Sequence, residues 1–123
     1  MATVRYLVAD VERSRTFYRD VLGFEDGFDM LPAFAIVRHG DLALWLAGPV
    51  SSAARPMPDG RVPAPGGWNR LVLEVDDLDG VVAQLRVAGA SFRNEIVKGP
   101  GGRQILVDDP DGNPVELFEP ATR

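Results

Sequence analysis

Cysteine is absent from the sequence, and histidine occurs once, at position 39. Without thiols there is no Cys-ligated zinc, no iron–sulfur cluster, no cysteine nucleophile and no disulfide. Positive charge is in the minority: 13 Lys and Arg stand against 18 Asp and Glu, a formal net charge of −5. No basic cluster of the kind that tracks a phosphate backbone interrupts the chain, so no nucleic-acid partner is expected. No apolar run has the length needed to cross a bilayer, so no membrane partner is expected. The segment from Met1 to Val8 enters a strand pattern at once, which leaves no place for a signal peptide and predicts a cytoplasmic protein. A length of 123 residues suits one domain with a core of its own.

What is present is a repeat. Thr3 to Val8 alternates as a strand, Asp10 is placed to cap a helix, and Val11, Ser14, Phe17, Tyr18, Val21 and Leu22 share one helical arc. Gly23 ends the helix. Strands are predicted over 24–30, 34–38 and 41–47, the last two joined by a tight turn at His39-Gly40. A Pro-, Gly-, Ala- and Ser-rich stretch from Gly48 to Gly67 has no periodicity and reads as a long loop, a flap or a joint. The second half repeats the first: a strand over 70–75, Asp77 capping a helix over 78–88 with Leu78, Val81, Leu85 and Ala88 on one arc, Gly89, then strands over 91–97, 103–108 and 114–119. The chain thus divides into a module at 1–47, a linker at 48–67 and a module at 68–120, each a β-α-β-β-β unit. The fold class is α+β: two such units packed side by side can make a curved, mixed sheet with helices on its outer face and a cavity on its inner face.

Several of these residues carry a resemblance: Asp10, Ser14, Phe17-Tyr18 and Leu22-Gly23-Phe24 in the first half, then Val75-Asp76-Asp77-Leu78, Ala88-Gly89 and the run Asp109-Pro110-Asp111-Gly112-Asn113-Pro114-Val115-Glu116-Leu117. Over nearly its whole length the chain resembles the vicinal-oxygen-chelate superfamily of glyoxalases, bleomycin-resistance proteins, extradiol dioxygenases and fosfomycin-modifying enzymes. The resemblance implies paired modules, a cup-shaped sheet and a homodimer. It also implies four metal-ligand positions, from the first and last strand of each module. Counting seven residues back from Asp10 and Asp77 gives Thr3 and Arg70; counting four on from Gly40 and Gly112 gives Leu44 and Glu116. Of these only Glu116 is a ligand type for a divalent metal, and an arginine repels a cation. No metal and no cofactor are therefore expected.

Alternation predicts that Thr3, Arg5, Leu7, Leu42, Leu44, Leu46, Arg70, Val72, Glu74, Glu116 and Phe118 face the cup, an apolar pocket with a few charges. Arg70 and Glu116 either form a structural ion pair or hold a ligand, Arg70 through its planar fork and Glu116 as the best candidate for moving a proton. Arg5 and Glu74 are ligand candidates or solvated charges, and Trp68 either stacks on a planar ligand or packs the loop. Trp45, alternating with the leucines, is expected among the helices. His39 is read as solvated, and Gln104 as a minor ligand candidate. The glycines from 99 to 102 follow a strand but open no helix, so they do not read as a phosphate loop. These residues predict a metal-independent small-molecule binder, similar to drug-sequestering bleomycin-resistance proteins and to antibiotic resistance by that route. The alternatives are an enzyme of the same superfamily, of lyase, isomerase or dioxygenase type, working through Glu116 and Arg70 or an atypical metal site, and a dimer with an empty cup.

Overall fold

A computed structural model describes residues 2–121; Met1, at the start of the expected leaderless strand and domain, and Thr122 and Arg123, at the domain's other end, lie outside them. The chain forms two compact units, Met1–Gly66 and Gly67–Arg123. Each contains one mixed sheet, and the fold is α+β with no closed barrel. Among the described residues no helix is long and apolar enough to cross a membrane.

In the first unit, β1 (Ala2–Leu7) leads to α1 (Val11–Thr16), which runs on into a π-helical turn (Phe17–Val21); β2 (Glu25–Met30), β3 (Phe34–His39) and β4 (Leu42–Ala47) follow. The Asp10 carboxylate accepts the Arg13 N–H at 3.1 Å and caps α1 as its sequence position predicts. The wider turn at its end is where the Leu22 N–H reaches the Phe17 carbonyl, and Gly23 then reverses the chain at φ +78°. The sheet order is β1-β4-β3-β2, with β1 parallel to β4 and the other pairs antiparallel. Leu44 pairs with Val4 and Val37, and Leu46 with Tyr6 and Ala35. Leu44, Leu46, Val37 and Ala35 are fully buried, and with Tyr18 and Phe24 they make this unit's core.

The second unit holds β5 (Leu71–Glu74), α2 (Leu78–Val87), β6 (Ser91–Phe92), β7 (Val97–Gly99), β8 (Gly102–Asp108) and β9 (Pro114–Pro120). The single strand expected over 91–97 is two short ones, both pairing with β8, because the Asn94 side chain takes the Leu106 N–H at 2.9 Å where a ladder bond would run. On α2 the buried arc is Leu78, Val82 and Leu85; Val81 is only half-buried and Ala88 exposed, one step off the expected arc. These face Leu71, Leu73, Val115, Leu117, Ile105 and Val107 across the sheet. Gly102, at φ +151°, has no room for a side chain: a Cβ there would collide with the Glu119 carbonyl.

The start of α2 is fastened from β9. Glu119 Oε1 accepts the Leu78 N–H at 2.9 Å, and Glu119 Oε2 pairs with Arg103, which also holds Asp79 at 3.0 Å. The Leu78 N–H and, after it, the Arg103 guanidinium hold the Glu119 carboxyl below the usual carboxylate range. A carboxyl depressed in the folded state stabilises above the ordinary range and loses that contribution as the pH falls through its folded value. Glu119→Gln is therefore expected to lower the melting temperature at neutral pH and to match wild type in acid. A difference that does not change with pH would assign the loss to packing alone.

Candidate functional site

Each sheet has a face that carries no helix. In the first unit, residues paired across strands share a side, so Arg5 lies with Trp45 and Ile36, and Leu7 with Ala47 and Phe34. The Arg5 guanidinium sits 5.1 Å from the Trp45 ring centroid, and Trp45 meets Phe34 edge-on at 5.5 Å. The opposite side belongs to α1: His39, on the Leu42–Leu44–Leu46 side, packs at a tilt, 5.1 Å between ring centroids, against Phe24, which touches Tyr18 of the helical segment.

Two expectations are overturned here. Leu44 and Leu46, with Leu42, face the helix rather than the helix-free side, and Trp45 replaces them there. The reason is one residue of register. Glu116, four after Gly112, lies opposite Val72, while the residue opposite Arg5, the counterpart of Val72, is Trp45, five after Gly40. Both last strands begin two residues after their glycine, at Leu42 and at Pro114, but β1 meets β4 one residue further along than β5 meets β9. A slip of one position exchanges the two faces of a strand. The fourth ligand-equivalent position is therefore Trp45. The alternation of β4 contains this signal only when its register is taken from β1.

In the second unit the helix-free face brings together Arg70, Val72, Glu74, Glu116, Phe118 and Gln104. Arg70 donates from Nε and Nη2 to Glu116 Oε1, at 3.0 and 2.8 Å, and from Nη1 to the Trp68 carbonyl at 3.3 Å. The side chains of Arg70 and Glu116 are 28% and 10% exposed, so the carboxylate is the more deeply sunk partner. Arg103 points the other way, into the Glu119 network. The turn from Asp109 to Asn113 sets where β9 starts: Asp109 Oδ1 accepts the N–H groups of Asp111 and Asn113, and Oδ2 accepts the Asn113 amide at 3.0 Å. Arg93, which the sequence did not single out, bonds Asp108, Gly67 and Gly112 and lies against Trp68.

The sequence profile of the Glyoxalase/Bleomycin resistance protein/Dioxygenase superfamily matches residues 1–117. The chain belongs to this superfamily. No curated protein matches it in sequence. Among solved structures, a superfamily member from Sphaerobacter thermophilus DSM 20745 shares 30% identity over 97% of this chain and 95% of its own, with a TM-score of 0.77. TnmS3, an antibiotic binding protein from Streptomyces sp. CB03234, shares 28% over 98% and 95%, with a TM-score of 0.75. Lactoylglutathione lyase from Agrobacterium tumefaciens shares 22% over 97% and 92%, also at 0.75, a likeness of fold alone.

The superfamily's metal set does not fit this chain's residues. Its four positions offer a threonine hydroxyl, an indole, a guanidinium and one carboxylate whose Oε1 already receives two N–H bonds. Neither an indole nor a guanidinium supplies a lone pair to a cation. Among the described residues no three His, Asp or Glu side chains are gathered to hold one. What the first unit does offer is space: an apolar cleft of about 260 Å³ where Leu7 and Ala47, from the Arg5–Trp45 face, meet Ala54, Val62 and Pro63 of the long loop. That loop is organised by its own turns, among them Met57 N–H to the Arg61 carbonyl at 2.7 Å.

Proposed function

We propose that this chain binds a small organic molecule without a family-type metal, in the manner of drug-sequestering members of its superfamily, and acts as a homodimer in the cytoplasm. The observation that carries the reading is the Arg70–Glu116 pair: the single carboxylate at the family's ligand positions is held by a permanent cation. An arginine there suits a carboxylate, phenolate or enolate of an organic ligand, which can displace Glu116 from the fork. Within the first unit, Arg5 on Trp45 and the apolar cleft that continues their face offer, by themselves, a surface for an apolar organic group. The likeness to an antibiotic binding protein at 28% identity supports the same class.

The test is a thermal-shift screen of chelator-treated protein against planar antibiotics and small carboxylates, with and without divalent metals. One compound class should raise the melting point, by about 2.7 kcal/mol of stability at a hundredfold excess over its Kd, and metals should leave it unchanged. Arg70→Ala should weaken an anionic ligand more than its neutral ester. Equal losses for both would leave Arg70 a structural role only, and stabilisation by stoichiometric metal would return the chain to the enzyme reading. Sedimentation equilibrium on the same samples reads the dimer directly; a monomer mass at working concentration would remove it from the proposal.

A further inference from the structure

Trp68 is 70% exposed, the more open of the chain's two tryptophans, yet it is held in place. One face of its indole lies 4.7 Å from the Arg93 guanidinium. Arg93 is itself fixed: Nε donates to Asp108 Oδ1 at 2.6 Å, Nη1 to the Gly67 carbonyl at 2.8 Å and Nη2 to the Gly112 carbonyl at 2.8 Å. Its side chain is largely buried. These bonds join the residue before Trp68, the end of β8 and the turn before β9 through one planar group. A tryptophan whose purpose is to cover Arg93 would bury its ring against the protein, and this one leaves most of it in water. A rigid aromatic with an open face binds at low entropic cost, because it is ordered before the ligand arrives.

We infer that Trp68 is a stacking surface for a planar aromatic acid and that Arg93 is the residue that positions it. The acid follows from Arg70, two residues on, whose Nη1 bonds the Trp68 carbonyl and whose fork carries the charge that would meet it. The inference rests on the small-molecule reading and adds to it the shape of the ligand. Nucleobases gain affinity by stacking on aromatic side chains whatever their hydrogen-bonding edge, because every such ring has a π-face.

Two probes of equal charge and different shape test it: anthraquinone-2-carboxylate, which is flat, and adamantane-1-carboxylate, which is not. In calorimetric titrations Trp68→Ala should weaken the flat probe about tenfold or more and leave the globular one unchanged, and Trp68→Phe should restore most of the loss. Arg93→Gln and Arg93→Lys should weaken the flat probe in parallel. In a Trp45→Phe background, where Trp68 is the sole tryptophan and is excited on the red edge beyond tyrosine absorption, both should also lower its steady-state anisotropy without any ligand. Equal losses for both probes, no loss in Trp68→Ala, or an anisotropy indifferent to Arg93 would overturn the inference. If the globular probe or another compound of the thermal screen binds and the flat one does not, stacking falls while small-molecule binding stands. If nothing in the screen binds, the binding reading itself falls, and Trp68 with it.

Discussion

Asp109→Ala is expected to lower the stability of the protein by about 3 kcal/mol or more, read as a reduced urea midpoint at constant slope. Asp109 is 5% exposed and Asn113 3%, so water does not replace what is removed. The carboxylate receives the Asp111 and Asn113 N–H groups and the Asn113 side-chain amide. Each buried donor left without an acceptor costs about 1–3 kcal/mol, whereas a satisfied bond contributes only about 1. Asp109→Asn should fall between the two, since its oxygen can keep the backbone donors while its amide faces that of Asn113. A loss under about 1 kcal/mol for the alanine variant would mean that the turn has other means of closing.

The second large effect is asymmetric. Arg70→Met is expected to destabilise by roughly 2–3 kcal/mol, Glu116→Gln by roughly 1, and the pair Arg70→Met with Glu116→Leu by little. Removing the arginine strands Glu116, the more buried partner, while removing the charge of Glu116 leaves an arginine whose side chain already reaches water. Exchanging both for apolar groups removes the desolvation cost along with the attraction. A double-mutant cycle by chemical denaturation reads all of these values. Additive losses would show that Arg70 and Glu116 do not depend on each other, and would remove the displaceable pair from the functional proposal.

Most of the fold was legible because local signals agree with one another. Asp10 and Asp77 cap helices where the caps were expected, Gly23 and Gly89 follow them with positive φ, and the Asp109–Asn113 turn starts β9. The placement of the candidate residues was legible in the second unit for the same reason: β5 and β9 are regular and in register, so alternation carries Arg70, Glu74, Glu116 and Phe118 to one face. In the first unit the match between glycines misled by one residue, and that single step moved Leu44 and Leu46 into the core and Trp45 out of it. Arg93 and the Glu119–Arg103–Asp79 network were illegible for a different reason. Their partners lie far off in sequence, as Arg93 does from Gly67 and Glu119 from Leu78, and no spacing rule connects them.

The division of each strand between two faces has a bearing on descent. On β4, Leu44 and Leu46 carry the core, while Ala43 and Trp45, the residue before each of them, look the other way. A mutation at Trp45 or Val72 can therefore change what the sheet meets without touching what folds it. One fold can therefore host different cargoes or chemistries while each variant still folds. In this chain the positions between the core residues are free to vary on terms that the core does not set.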